Sequence, residues 1–296
     1  MRGLTERRKR VLQIAGYVAL FLVLFAYFLY LGFPYAAITN RVVGRFQGQS
    51  QARVEIASIA PDFLTGFKLR DVRVYHGDAA NGRLVAKVDV ARVRIGLFSL
   101  LRGALNLSLT ADLYGGNISG KIRHGSKVMD ADLGFHDVNL GQFGLSSLLA
   151  EYGDFKFDGL IGGQVKLHYD AADLKNATGN AEIKFQNFRL ADATIYGAKI
   201  PAVVFEPATL KLDLGSRALK VVEGRFKGTG MEVEFGGRMT LRDDLEKSTL
   251  SYFLKFKPTG QLEERFGQIL EQVKKKERDG FYRVNLIGSL SAPRFR

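Results

Sequence analysis

Cysteine and tryptophan are both absent from this chain of 296 residues. Without cysteine the chain can form no disulfide, no thiolate nucleophile and no cysteine-ligated metal centre. The absence does not fix the compartment, because it shows only that an oxidising one would be harmless. A linker rich in proline and serine is also lacking after residue 50. We therefore expect one β-rich region over 51–296, with a possible second half beginning near residue 155.

Motifs of catalysis are lacking as well. The closest approach is Gly115-x4-Gly120-Lys121, which copies most of a phosphate-binding loop, but Ile122 stands where that motif needs Ser or Thr. The alternation that follows predicts a hairpin turn instead. The histidines form no metal-binding pair at close spacing: His76, His124, His136 and His168. We predict no enzyme activity, no cofactor and no metal site; an unrecognised enzyme is the most distant alternative.

One long apolar run is present, from Val11 to Phe33, with Gln13 as its only strongly polar residue. A helix of about 20 apolar residues spans a bilayer, so 11–33 is predicted to be an uncleaved transmembrane signal anchor. A cleaved signal peptide, whose apolar region is typically about 7–15 residues, and a buried core helix are the alternatives. The expected membrane-contacting residues are Val11, Leu12, Ile14, Leu20, Phe21, Leu22, Val23, Leu24, Phe25, Phe28, Leu29 and Leu31.

Positive charge precedes this run. The net charge of the chain is +13, and Arg7, Arg8, Lys9 and Arg10 directly flank the predicted anchor. The positive-inside rule then places residues 1–10 in the cytoplasm as a basic tail. Residues 34–50 become a connector, and 51–296 lie in the periplasm of a bacterial inner-membrane protein. The charge favours an anionic partner, either phospholipid or an acidic protein face. A periplasmic location argues against nucleic acid, although Phe155, Phe157, Phe185 and Phe188 lie beside basic residues.

Beyond the predicted anchor the apolar residues recur with period two, which is typical of strands. Val165, Leu167 and Tyr169 alternate with polar residues in "QVKLHY", and "TLKLDLG" and "STLSYFLKFKP" repeat this, with Phe253 as an exception. In "GRLVAKVDVARVRIGL" the alternation changes phase after Val90, which predicts a β-bulge. The fold is therefore predicted to be mainly β: a transmembrane helix followed by an elongated, half-open antiparallel sheet with a few short helices.

Three stretches have a helical pattern instead. Short helices are predicted at 97–103 and 143–153. A longer one is predicted over 260–280, with Leu262, Phe266, Ile269, Leu270 and Val273 on its apolar side and Gly280 as its end. We expect this helix to pack on the sheet; the alternative is a helix at the membrane surface. The final strand, which precedes Pro293, is predicted to be the edge of the sheet.

An amphipathic sheet with few helices must bury its apolar face against a second sheet, a partner or lipid. Its polar face carries lysines that can meet an acidic partner, although ordinary solubility is the favoured explanation: Lys166, Lys184, Lys211 and Lys220. An acidic protein and a phospholipid are both compatible with such a surface.

Taken together, several segments resemble a known family. They are "LGFPY" after the predicted anchor, "DFLTGFKLRDVRVY", "FDGLIGGQVKLHYDAADLKNATGNAEIKFQNFRL", "IPAVVFEPATLKLDLGSRALKVVEGRFKGTGMEVEFGGRMTL" and the closing "LIGSLSAPRF". The chain resembles the protein N (GspN) family of the type II secretion system, and the same segments are similar to AsmA-like periplasmic β proteins. Nearly the whole chain takes part, but every motif is a glycine-punctuated amphipathic strand.

The resemblance implies two functions. The GspN family implies a non-enzymatic inner-membrane component of the type II secretion system that contacts other secretion subunits. The AsmA-like proteins imply a lipid-binding or phospholipid-transfer role for an apolar β groove. The arrangement of strands discriminates between them, because facing sheets about 10 Å apart leave no room for lipid.

Overall fold

The computed structural model describes residues 20, 52–62, 65–76, 83–96, 99, 104–125, 127–142, 154–170, 173–195, 198–264, 267 and 276–296. The predicted basic tail, anchor and connector lie outside these residues, apart from Leu20, which is helical. The predicted helix at 143–153 also lies outside them, and of the one at 97–103 only Ser99 and its helical state are described. Within the described part of the chain, no helix has the length and apolar character needed to cross a membrane.

Sixteen antiparallel strands form one sheet, which confirms the prediction of a mainly β chain. Fourteen of them follow the order β1-β2-β3-β4-β5-β6-β7-β8-β11-β12-β13-β14-β15-β16, and β9 and β10 both pair with β8. The strands are β1 Ala52–Asp62, β2 Gly66–His76, β3 Arg83–Ile95, β4 Leu105–Leu113, β5 Gly116–His124, β6 Val128–Asn139, β7 Asp154–Asp170, β8 Thr178–Ile195, β9 Ala198–Ile200, β10 Val203–Val204, β11 Ala208–Gly215, β12 Ala218–Gly228, β13 Met231–Thr240, β14 Thr249–Pro258, β15 Tyr282–Ser289 and β16 Ala292–Phe295.

Short turns join most neighbouring strands. The β4–β5 connection has positive φ at both Tyr114 (51°) and Gly115 (77°), as the two-residue hairpin turn with a right-handed strand twist requires. Ser216 and Arg217 form the same kind of turn between β11 and β12. The hairpin predicted in place of a phosphate-binding loop is therefore confirmed. Short 3-10 turns lie at Leu140–Gln142, Leu174–Asn176 and Leu245–Lys247.

The predicted bulge in β3 is at a different place. The β2–β3 register is continuous where the apolar phase changes, with Arg70 opposite Val90 and Leu69 opposite Ala91. The register shift occurs instead between Leu84 and Ala86. At the level of the phase change Asp71 of β2 has a φ of 49°, which reorients the strand without an inserted residue.

The predicted helix over 260–280 ends earlier than expected. Residues 261–264 and 267 are helical, whereas 276–280 form a turn closed by the hydrogen bond from the Gly280 N–H to the Glu277 carbonyl (3.0 Å). Lys255 of β14 holds this turn, since its Nζ contacts carboxylate oxygens of Glu277 (2.5 Å) and Asp279 (2.8 Å). Because Glu277 and Asp279 both bind Lys255 of the sheet, the chain forms a turn here, and the helix ends before Lys276.

The strand that the sequence predicted as the edge, β15, is followed by one more strand. After β15 the chain turns at Leu290 and Ser291 and returns as β16, which places Pro293 opposite Gly288. Gly288 has a φ of 111°, and a Cβ there would lie 2.7 Å from the carbonyl oxygen of Ala292. Among the described strands β16 pairs with β15 alone, so Pro293 does lie in an edge strand.

Candidate functional site on the apolar face

A single row of directly opposed residues crosses the fourteen ordered strands on one face of the sheet. We call it the central apolar row, and each member is the cross-strand partner of the next. Its members are Pro61, Phe67, Val93, Leu109, Gly120, Leu133, Val165, Ala181, Leu212, Val221, Gly237, Tyr252, Leu286 and Phe295. Side chains opposite each other lie about 4.5–5.5 Å apart at Cβ, so the row is a continuous apolar band.

None of the fourteen residues in this row is fully buried. Phe295 at the β16 end is 47% exposed, and the other members are partly exposed. A residue in the middle of a two-sheet core would instead be completely covered. The central apolar row is thus a hydrophobic surface within the part of the chain that the structure describes.

Full burial occurs towards the ends of the strands. At one end Val203, Phe205, Phe226 and Leu262 form a buried cluster, which shows that the first turn of the helix at 261–264 packs on the sheet as predicted. At the other end the buried residues include Ala177, Ala218, Ser248 and Leu250. These closed ends leave the middle of the apolar face as the accessible part.

Stacked phenylalanines build the first of these ends. Phe188 lies between Phe157 (centroid distance 6.2 Å) and Phe205 (5.0 Å), and the ring of Phe185 meets the edge of Phe226 at 5.1 Å. Such aromatic pairs stabilise a core beyond their buried area. Rings packed on each other in this way form part of the core at this end of the sheet.

A second buried cluster closes the strand ends around the β4–β5 hairpin. Leu113, Tyr114 and Val138 are buried, and Val88 packs against them. The Tyr114 hydroxyl accepts a hydrogen bond of 2.7 Å from the Lys87 N–H, which ties this turn to β3. The β4–β5 turn therefore closes this end of the sheet through Tyr114.

The opposite face is polar and forms ion-paired ladders. The row next to the central apolar row contains Arg94, Lys121, Asp132, Lys166, Asp213, Lys220 and Arg238. Ion pairs on this face include Lys211–Glu223 (2.7 Å) and Arg225–Glu234 (2.5 Å). Exposed pairs of this kind each stabilise the fold by only about 0–1 kcal/mol. These pairs lie on the face opposite the central apolar row, so the sheet has one mainly apolar and one mainly charged face.

The four lysines suggested for an acidic partner are all exposed on this polar face. Lys184 pairs with Glu182 (3.4 Å) and Lys211 with Glu223, whose hydrogen bond raises the pKa of Lys211. Among the described residues neither Lys166 nor Lys220 forms an ion pair. The lysines are therefore spread over the face, and neutralising carboxylates accompany two of them.

Histidines and acidic residues do not assemble into a metal site in the described chain. His168 Nδ1 lies 2.7 Å from Asp130 Oδ1 on the neighbouring strand, as one exposed pair on the polar face. The predicted anchor residues between Val11 and Leu31, Leu20 excepted, and the topology signal at Arg7–Arg10 lie outside the described residues. Those predictions remain predictions.

One feature of the polar face was missed by sequence reasoning. The ring of Phe253 lies over Gly236 on the adjacent strand, where a Cβ would clash with it. The guanidinium of Arg283 then stacks on this ring, with its Cζ 4.5 Å from the ring centroid. The sequence signal was the phase exception at Phe253, but the glycine beneath the ring depends on the strand register.

Comparison with protein-family models, with curated proteins and with solved structures finds no match to this chain.

Proposed function

We propose that this chain is a non-enzymatic, membrane-anchored β protein that binds phospholipid acyl chains along the apolar face of its sheet. The observation that carries the proposal is the central apolar row, which has fourteen members across the sheet and none fully buried. The similarity to AsmA-like periplasmic proteins supports the same role and a half-open sheet. The predicted anchor at 11–33 would attach the sheet to the inner membrane, with residues 51–296 in the periplasm.

An acyl chain suits this face better than a polar ligand does. The row consists of aliphatic side chains, glycines and three aromatic residues, of which Tyr252 alone has a polar atom, and that hydroxyl donates to the Leu219 carbonyl (3.2 Å). Recognition would therefore be non-directional. Burial of a methylene group stabilises a complex by about 0.8 kcal/mol. Ten fully buried methylenes would contribute roughly 8 kcal/mol, and an open face that covers one side of the acyl chain contributes a part of this, before the cost of ordering the chain is subtracted.

The alternative to lipid binding is that the apolar face is buried against a second sheet in a sandwich core. All sixteen described strands belong to one hydrogen-bonded sheet, so the described chain has no separate second sheet to form a sandwich. The partial exposure of every member of the row agrees with this arrangement. Of the two arrangements that the sequence left open, the observed one favours lipid.

Native mass spectrometry of the full chain, purified in mild detergent, tests the proposal. We expect bound phospholipid at a defined ratio, and its loss in the variant Leu133→Gln/Leu212→Gln, which places two amides in the central apolar row. The matched control is Asp132→Asn/Asn180→Gln on the polar face: Asp132 precedes Leu133, and Asn180 lies opposite Asp213, which follows Leu212. Far-UV circular dichroism checks that each variant is folded. Consistent absence of lipid from the folded wild-type protein would refute the proposal.

A role in the type II secretion system is the second candidate, and the resemblance to the GspN family favours it. The structural observation in its support is the edge strand β16, whose four residues are exposed and which pairs with β15 alone in the described sheet. An edge strand can accept a strand from a partner subunit. Site-specific crosslinking from Ala292 in cells tests this role: adducts with secretion subunits support it, and a clean absence contradicts it.

A further inference from the structure

The polar face contains a pair of basic residues that the fold does not neutralise. Lys220 of β12 and Arg238 of β13 are direct cross-strand partners. Like charges placed opposite each other destabilise a sheet. Neither residue forms an ion pair with any described residue, although Asp213 lies opposite Lys220 on its other side.

Other opposed basic pairs in the described sheet are compensated. Arg73 and Lys87 contact Asp71 (2.8 Å) and Asp89 (3.4 Å), respectively. Lys255 and Arg283 share the carboxylate of Glu277, which lies 2.5 Å and 3.7 Å from them.

The remaining pair, Lys68 and Arg92, has Asp112 at 3.8 Å from Arg92. Only at Lys220 and Arg238 do both members of a described pair lack a carboxylate partner. A bound anion would supply the missing negative charge.

A third cation is held beside this pair. The Arg283 guanidinium stacks on the Phe253 ring at 4.5 Å, and its Nε donates to Asn285 Oδ1 (2.8 Å). These two contacts, together with Glu277 Oε1 at 3.7 Å from Arg283 Nη1, orient the guanidinium before any ligand binds, which lowers the entropic cost of binding. Arg283 and the Lys220–Arg238 pair line one shallow depression of about 420 Å³, with the Ser251 side chain opposite Arg238.

We propose that this depression, which we call the basic depression, binds a phosphate group. A phosphate group offers several acceptor oxygens in a tetrahedral arrangement, with one negative charge in a phosphodiester and more than one in a monoester or inorganic phosphate, whereas a carboxylate offers two oxygens in one plane. Two guanidinium groups and an ammonium match the larger number of acceptors. The source is a phospholipid headgroup or a soluble phosphate compound. The site lies on the face opposite the central apolar row, so it is independent of acyl-chain binding.

The variant Lys220→Gln/Arg238→Gln removes two charged donors and tests the site. The matched control is Lys121→Gln/Lys166→Gln, which removes the same charge from the same polar row, where both lysines lie opposite Asp132. Isothermal titration calorimetry on the full chain in detergent uses inorganic phosphate and glycerophosphoglycerol, a deacylated phosphodiester headgroup. We expect the test variant to weaken binding at least about tenfold and the control less than about twofold.

The two probes distinguish the sources. Tighter binding of glycerophosphoglycerol supports a lipid headgroup, and tighter binding of inorganic phosphate supports a soluble ligand. An equal loss of affinity in both variants would show only general charge attraction and would overturn the proposal. It would also be overturned if neither probe bound the folded wild-type chain, or if a glutamate-rich decapeptide bound in their place.

Discussion

The free energy of unfolding lost on side-chain truncation distinguishes a closed core from an open face. Phe226 represents the closed core, and Leu133 represents the open face. Phe226 is 9% exposed, and its ring meets those of Phe185 at 5.1 Å and Phe205 at 6.4 Å. Removal of a buried phenylalanine ring costs about 3–5 kcal/mol, since the neighbours relax only partly. We therefore expect Phe226→Ala to lower the free energy of unfolding by about 4 kcal/mol.

Leu133 lies in the central apolar row, opposite Gly120 and Val165, and is partly exposed. Full burial of a leucine side chain stabilises by about 1.5–3 kcal/mol, and a site open to solvent on one side leaves no enclosed cavity. We expect Leu133→Ala to cost about 1 kcal/mol.

Urea unfolding of the full chain in detergent, followed by far-UV circular dichroism, measures both free energies under identical conditions. Lipid must be removed first, because a bound ligand stabilises the folded state. A cost of about 3 kcal/mol or more for Leu133→Ala would show that the central apolar row is a closed core, and the acyl-chain proposal would fail.

Three further changes have expected outcomes. Tyr114→Phe removes the acceptor of the Lys87 N–H and should cost about 1 kcal/mol, measured by the same unfolding assay, whereas no change would mean that the hydrogen bond is replaced. Gly288→Ala places a Cβ on a backbone with positive φ and close to the Ala292 carbonyl, so β16 should detach from β15. Limited proteolysis should then remove the C-terminal residues faster than in wild type, and equal cleavage rates would contradict this. The hydrogen bonds of Lys255 with Asp279 and Glu277 raise the pKa of Lys255, and the hydrogen bond from Lys255 lowers the pKa of Asp279. The contribution of these ion pairs to the free energy of unfolding is therefore present at neutral pH. It is lost as pH falls through the folded pKa of Asp279 and as pH rises through the folded pKa of Lys255. Lys255→Met should flatten the plot of unfolding free energy against pH at both limits, and an unchanged plot would contradict the assignment.

The period-two pattern predicted the sheet well where strands obey simple alternation. In β7 the structure places Val165 and Leu167 on the apolar face and Lys166 and His168 on the polar face, as the sequence indicated. One-sided burial imposes this pattern directly, so it can be read without knowledge of the neighbouring strands.

Features that depend on strand pairing could not be predicted in the same way. Val90 was grouped with the apolar face, but it lies opposite Arg70 and Asp112 on the polar one. The position of Phe253 over Gly236 and the uncompensated Lys220–Arg238 pair both result from register across strands that are distant in sequence.

The C-terminal hairpin shows a related limit. Ser289 and Ser291 form a turn in which the Ala292 N–H donates to Ser289 Oγ (3.2 Å), and this local hydrogen bond reverses the chain. Alternation alone extended the strand through these residues. Side-chain hydrogen bonds of serine to nearby backbone compete with continued strand pairing, and the sequence pattern does not show which of the two prevails.

The central claim is that acyl chains lie along the central apolar row, and photocrosslinking tests it most directly. The full chain, reconstituted with a phospholipid that has a photoactivatable diazirine in one acyl chain, is irradiated, digested and mapped by mass spectrometry. We expect adducts on Leu109, Leu133, Val165 and Leu212, which follow one another along the row with only Gly120 and Ala181 between them. Adducts confined to the predicted anchor at 11–33, or spread equally over both faces of the sheet, would contradict the claim.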